Sequence, residues 1–396
     1  MVIDAFELAR LPAVSFGEGA LNRVPEIASS LGTRMLLITG VASFRSSRHW
    51  PVFSSSLEKH GVTWDSCVID GEPSPERVDE IVRKFGATGI ELVVGIGGGS
   101  VLDAAKAVAA LLVTGNSVMD HLEGVGAGVP YQGPALPWVA VPTTAGTGSE
   151  ATKNAVLSAR GKEGFKKSFR HEALVARHAV LDPLLLESCP PALVAADGMD
   201  ALTQLIESFL STRRSPFTDA LTLSALEAAR DGLLPWYEER DDVAAARERM
   251  AYAAWISGVA LAQTGLGAVH GLASPLGALF PVPHGVVCGT LVAAATQVNL
   301  AALRERRPDD LALGRYARVH AVLSGSDQVD AEDGPEALVE LLREWTQRLD
   351  LPRLRGFGVK GSDVERIVQH SRGSSMRTNP IELTDAEIAA ILRERL

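Results

Sequence analysis

The sequence predicts an α/β domain built on a parallel sheet, residues 1–183, followed by an all-helical domain, residues 184–396. Three observations carry this expectation. Up to about residue 183, short apolar runs of strand character alternate with longer helical stretches, the pattern of a parallel sheet covered by helices. After Asp182-Pro183 the β-branched runs fade and helical periodicity takes over. The chain has 396 residues, 46% of them hydrophobic and 22% charged, enough for two cores.

Taken in order, RMLLIT (34–39), ELVVGI (91–96) and WVAVP (138–142) read as strands, with helical segments such as ERVDEIVRKFG between them. In the second half, 191–211, 216–238 and 241–266 read as helices, and shorter helical pieces follow. The polar segment SGSDQVDAEDGPE (324–336) reads as an exposed loop. Composition excludes several functions. With 38 Lys and Arg against 48 Asp and Glu, the net charge is −10 and no dense basic run appears, which argues against a nucleic-acid partner. The stretch MVIDAFELARLPAVSF lacks a basic, then long apolar, leader, and no window reaches about 18 uninterrupted apolar residues, so neither export nor a membrane is expected. Cys67, Cys189 and Cys288 are isolated in sequence with no CxxC spacing, which suggests neither a disulfide framework nor a thiolate zinc site and fits a reducing cytoplasm.

Within ELVVGIGGGSVLDAAKAVAALL a buried strand runs into Gly97, Gly98 and Gly99, and a helix begins near Ser100. Glycines let the backbone approach a bulky anion, and the free N–H groups of the following helix favour phosphate, so a dinucleotide pyrophosphate fits here. The same triplet also serves a tight turn with no ligand, and it is not the GxGxxG fingerprint. A second loop, VPTTAGTGSE, offers the hydroxyls of Thr143, Thr144, Thr147 and Ser149 beside Gly146 and Gly148. Alone it reads as a surface loop; two such loops at successive strand ends favour a nucleotide site.

The helix DGMDALTQLIESF (197–209) carries Asp200 and Gln204 one turn apart on an otherwise apolar face. Downstream, GAVHGLASPLGALFPVPHG places His270 and His284 in apolar, glycine-rich surroundings. A single histidine in such a place is usually a satisfied core residue. Two histidines with an acid-bearing helix form a donor set that suits Zn²⁺ or Fe²⁺.

GGGSVLDAAKA, VPTTAGTGSE, DGMDALTQLIE, AVHGLASPLG and PHG together resemble, in the same order, the motifs of the iron-containing (group III) alcohol dehydrogenases. The likeness runs from SFGEGAL at 15–21 to just beyond PHG. It implies a dinucleotide-binding α/β domain, a helical domain of the dehydroquinate-synthase-like fold, and a catalytic divalent metal, Fe²⁺ or Zn²⁺. Three family ligands match Asp200, His270 and His284. The fourth family ligand is a histidine where this chain has Gln204, whose amide oxygen can donate a lone pair in its place. A histidine the family uses in proton movement is Ser274 here. Asp103 and Lys166 join the glycine and threonine loops as expected cofactor-binding residues. Where the family often has an Asp that repels a 2′-phosphate, this chain has Gly40, with Ser43 and Arg45 close behind, so NADP(H) is expected to be preferred and NAD(H) usable.

The resemblance thus implies hydride transfer to or from a small alcohol or aldehyde; a cytoplasmic homodimer is expected, with no nucleic-acid or membrane partner. Three other readings compete. A metal-independent enzyme like the maleylacetate reductases is disfavoured by the three retained ligands, and a catalytically retired nucleotide-binding protein by retention of loops and ligands together. A lyase of the dehydroquinate synthase type shares the architecture but matches the motifs less well.

Overall fold

The computed structural model describes residues 5–161, 164–240 and 242–396; the first four residues and residue 241, where the sequence suggested the third helix begins, lie outside that description. The chain forms two compact units, residues 10–189 and residues 190–396, the latter joined by residues 5–9. The α/β unit extends past Pro183 because the turn that follows still packs on the sheet, with Leu185 buried among Val139, Val141 and Val180.

In the α/β unit the order is β1 (Ala13–Phe16), α1 (Val24–Leu31), β2 (Arg34–Gly40), α2 (Trp50–Lys59), β3 (Thr63–Ile69), α3 (Pro75–Phe85), β4 (Leu92–Gly97), α4 (Gly99–Thr114) and β5 (Trp138–Pro142). The hairpin β6 (Asn154–Ala159) and β7 (Phe165–Arg170) follows, and then β8 (His178–Leu181). Six strands make one parallel sheet in the order β1-β8-β5-β4-β2-β3. Its central strands carry near-continuous apolar runs because both faces are covered. Leu36, Ile38 and Val93 pack toward α3 and α4, while Met35, Leu37 and Val94 pack toward α1 and α2. From β2 the chain proceeds to β3 on one side and then to β4 on the other. The order therefore reverses between the carboxyl ends of β2 and β4, the place where open parallel sheets take ligands. Gly40 and Gly97 close those two strands.

The second unit is helical: α5 (Pro191–Leu210), α6 (Pro216–Tyr237), α7 (Val243–Thr264), α8 (Ala268–Leu279), α9 (His284–Arg306), α10 (Leu311–Ser324), α11 (Gly334–Arg348), α12 (Val364–Gln369) and α13 (Asp385–Glu394). The third of these stops at 264 because Gly265 takes a φ of 67°, a left-handed conformation that a helix cannot continue. The polar loop expected over 324–336 is shorter at its end. Gly334-Pro335-Glu336 open α11, with proline in the first turn where its missing N–H costs nothing. Long and apolar enough on composition to cross a membrane, α9 is the core helix of this unit, 83% buried over that window and packed on α5, α8, α11 and α13.

Candidate active site

On the α/β unit, the glycine turn exists so that the threonine loop can lie on it. A Cβ on Gly98 would stand 3.1 Å from Thr144 Cγ2, and one on Gly99 would stand 2.7 Å from both Thr147 Cγ2 and Oγ1. Helix α4 starts directly after Gly98, with no side chain capping its first N–H groups. Thr143 N donates to Gly97 O at 3.0 Å, tying the loop to the end of β4.

Two residues at this junction, Lys106 and Glu150, escaped the sequence reading. Lys106 is fully buried, and its Nζ donates to Ser149 O (2.9 Å), Ser149 Oγ (3.0 Å), Thr152 Oγ1 (2.9 Å) and Asn154 O (2.7 Å). Asp103 accepts from Ser149 Oγ at 2.5 Å and from Val156 N at 3.1 Å, so its contacts are with the loop and hairpin. Burial raises the Asp103 carboxyl and lowers the Lys106 ammonium, while their attraction across 3.6 Å opposes both shifts. Helical register, with Lys106 one turn beyond Asp103, is the signal that pairs them.

Burial also pushes the Glu150 carboxyl up to about 7. The native state then binds a proton that the unfolded chain, with its ordinary value of 4.5, has released, so stability falls as pH rises from about 4.5 to 7. Glu150→Gln should abolish this loss. Between pH 5 and pH 8 the wild type is expected to lose about 3 kcal/mol relative to the variant in urea denaturation, and parallel pH profiles would contradict it.

An open cleft of about 240 Å³ is lined by Ser43, Ser47, Arg48, His49, Thr143 and Glu187, among others. It brings Ser43 and Thr143 to one lining. Arg45 is absent from the lining. Its Nε donates to Thr39 Oγ1 at 3.1 Å and its guanidinium lies 5.1 Å from the Trp50 ring centre, so Arg48 is the cation facing the cleft. Lys166, on β7, pairs with Glu72 at 2.5 Å and is likewise absent from the lining.

On the helical unit, Asp200, Gln204 and Glu207 share the buried face of α5. His270 stands near the start of α8, and His284 opens α9 directly after Pro283. His270 Nε2 lies 3.1 Å from Asp200 Oδ1, and His284 Nε2 lies 3.7 Å from the same oxygen. Cys288 joins them. Its Sγ is 3.5 Å from His270 Nε2 and 3.8 Å from His284 Nε2, and donor atoms of all four residues fall within 4.8 Å of one another. The cysteine is isolated in sequence but not in space, and the HxxxC spacing within HGVVC is the signal that could have found it.

Glu207, also missed, supports the cluster. One carboxylate oxygen accepts from Val269 N at 2.7 Å, capping α8 where Gly267 has no side chain to do so. The other meets His270 Nδ1 at 2.6 Å. Because Nδ1–H donates to Glu207, a neutral His270 turns the lone pair of Nε2 toward the Asp200 carboxylate, acceptor against acceptor. That contact requires a proton or a cation between the two atoms, which is the chemistry of a metal site. Burial works against ionisation of Asp200, yet the two histidines hold its carboxyl well below the usual range. Burial also works against a charged His270, but Cys288, Glu207 and Asp200 outweigh it and raise the imidazole well above its ordinary value. Burial pushes the Cys288 thiol up to about 12.

Gln204 Oε1 accepts from Ser257 Oγ at 2.9 Å. Ser274 sits one turn beyond His270 on α8 and is exposed.

Comparison with known proteins gives this fold and donor cluster a family. Residues 12–183 match the model of the iron-containing alcohol dehydrogenases, and residues 194–396 match the C-terminal model of the same family, so the likeness reaches the C-terminus. Alcohol dehydrogenase 4 of Saccharomyces cerevisiae is 32% identical over 390 residues, covering 97% of either chain. A 1,3-propanediol oxidoreductase structure superposes with a TM-score of 0.89 at 27% identity, over 99% of this chain and 100% of that one. The sulfoacetaldehyde reductase of Bifidobacterium kashiwanohense, solved with NAD⁺, gives a TM-score of 0.85 at 26% identity over 99% of each. The chain belongs to the iron-containing alcohol dehydrogenase family, which implies an oxidoreductase acting on alcohols, a divalent metal and NAD(H) binding.

Proposed function

We propose that this chain is a metal-dependent alcohol dehydrogenase and aldehyde reductase that moves a hydride between a small alcohol or carbonyl compound and a nicotinamide, with NADP(H) preferred and NAD(H) second. The convergence of Asp200, His270 and His284 on one point carries the reading, since such a donor set suits Fe²⁺ or Zn²⁺. Those three residues would hold the cation, and Gln204 stands one turn from Asp200 on the same helix. A bound divalent cation supplies Lewis acidity toward a substrate oxygen. Glu207 fixes the His270 ring. Ser274, exposed one turn from His270, relays a proton toward solvent; a hydroxyl passes protons on better than it keeps them near neutral pH. Three free cysteines accord with the reducing cytoplasm.

For the cofactor, Gly97, Gly98, Gly99 and Ser100 at the start of α4 receive the pyrophosphate, and the hydroxyls of Thr143, Thr144 and Thr147 bind alongside it. Gly40 presents no carboxylate against a 2′-phosphate, while Ser43 and Arg48 in the adjoining cleft can bind one. The NAD⁺ held by the sulfoacetaldehyde reductase supports NAD(H) as the second choice. The test is kinetic, on protein purified without chelator and assayed over a panel of small alcohols and aldehydes. NADP(H) is expected to exceed NAD(H) in kcat/KM by about 10-fold or more, the worth of one charge-assisted hydrogen bond. A strong NAD(H) preference refutes the cofactor assignment, and no turnover anywhere in the panel refutes the function.

A further inference from the structure

Gln204 replaces a histidine that the resemblance assigns to the metal, and the structure offers a stronger donor for the vacated role. We infer that the thiolate of Cys288 is the fourth protein donor to the divalent cation, with Gln204 beside the coordination sphere and outside it. The inference rests on the metal-dependent reading above and deepens it.

Distances carry the argument first. Donors bonded to a tetrahedral centre at about 2.0–2.3 Å stand about 3.3–3.7 Å from one another. Cys288 Sγ lies 3.5 Å from His270 Nε2 and 3.8 Å from His284 Nε2, while Asp200 Oδ1 lies 3.1 and 3.7 Å from the same two nitrogens. Those four separations lie within about 0.2 Å of such edges. The backbone explains why. His284 begins α9 and Cys288 follows one turn later, so both side chains leave the same helix face. Gly285 and Gly289, the residues after each, let that face approach α5 and Asp200 closely: a Cβ on Gly285 would stand 2.4 Å from Ala196 O, and one on Gly289 would stand 2.7 Å from Met199 Cβ.

Gln204 is held differently. Its Oε1 takes the Ser257 hydroxyl at 2.9 Å, which fixes the amide from the side of α7. An amide oxygen already accepting one hydrogen bond is a weaker donor to a borderline metal than a thiolate. A buried free cysteine often serves merely as a small apolar side chain. Cys288, fully buried, instead has its sulfur among a carboxylate and two imidazoles.

The exchange alters the chemistry of the centre. With Asp200 and a Cys288 thiolate, two negative charges balance the dication, whereas Asp200 and a neutral amide would leave it one positive charge. The thiol proton passes to solvent as the cation binds. A softer, charge-balanced donor set favours Zn²⁺, Co²⁺ or Fe²⁺ and disfavours Mg²⁺ or Mn²⁺.

Cobalt reads the sulfur directly, without reference to turnover. Full-length protein stripped of metal and loaded with Co²⁺ should show a near-ultraviolet sulfur-to-cobalt charge-transfer band together with visible ligand-field bands. Cys288→Ser should lose the charge-transfer band and bind Co²⁺ at least about 10-fold more weakly, whereas Gln204→Ala should keep the band and bind nearly as tightly. X-ray absorption of the wild-type cobalt protein should show one sulfur at about 2.3 Å, a measurement that stands even if the serine variant does not fold. Bound cobalt with no sulfur neighbour, a band that survives in Cys288→Ser, or a greater loss of affinity in Gln204→Ala would each overturn the inference and leave the metal-dependent reading intact. A chain that takes up no cobalt overturns both.

Discussion

His270→Ala and His284→Ala are each expected to release the divalent cation and lower turnover by well over about 100-fold, beyond the 10- to 100-fold typical of removing a partner that only supports a ligand. The two variants should differ in stability. His270 is buried, with Nδ1 on Glu207, and its loss removes that partner from a buried carboxylate that also accepts from Val269 N. That loss should cost about 1–3 kcal/mol. The His284 side chain is 30% exposed, so water can replace it and its removal should cost less. Metal analysis, steady-state kinetics and urea denaturation of both variants check the pattern. Full activity in either variant with metal absent would sink the metal mechanism, and equal stabilities would remove the role given to Glu207.

Gly285→Ala should be the most damaging single methyl in the helical unit. The new Cβ would stand 2.4 Å from Ala196 O and 2.6 Å from Ala196 C, backbone atoms that no rotamer change can move aside. Helix α9 must then shift from α5 at the turn that presents His284, opposite the turn that presents Asp200. Overpacking of this kind costs about 1–3 kcal/mol, and here the displaced ligand should also release the metal. Gly314→Ala is the contrast. Gly314 is an exposed residue of α10 whose added Cβ would meet nothing within 4 Å, so alanine should stabilise by up to about 1 kcal/mol through helix propensity. A Gly285→Ala protein with wild-type stability and metal content would refute the close-approach argument.

These residues also show which parts of the molecule could be read from sequence. The parallel sheet was legible because β2, β4 and β5 are buried on both faces and therefore spell continuous apolar runs. The hairpin was not. FKKSFR in β7 is half-exposed and charged, and it lacks both the apolar run and a clean alternation. Asp200, His270 and His284 could be singled out because polar groups in apolar surroundings stand out one at a time. Cys288 was passed over, since a cysteine among valines reads as core unless its HxxxC spacing is laid on one helix face with His284. Glu207 and His270 are 63 positions apart, and periodicity within one helix carries no information about a partner on another. Arg45 was expected to attract a 2′-phosphate on the pattern of a Gly-x-x-Ser turn, a pattern that carries no information on its contacts with Thr39 and Trp50 or on Arg48 lining the cleft.

The four acceptors gathered around Lys106 Nζ bear on the thermodynamics of ligand binding. A flexible threonine loop would have to be immobilised whenever a dinucleotide arrived, at a cost of roughly 1–2 kcal/mol for each residue ordered. Lys106 instead clamps 149–154 during folding, from beneath and through backbone carbonyls, so the chain meets that entropy once in its lifetime and not at every catalytic cycle. On the proposed function, the loop would hold a cofactor while drawing little affinity from conformational ordering, which suits a cofactor exchanged at each turnover.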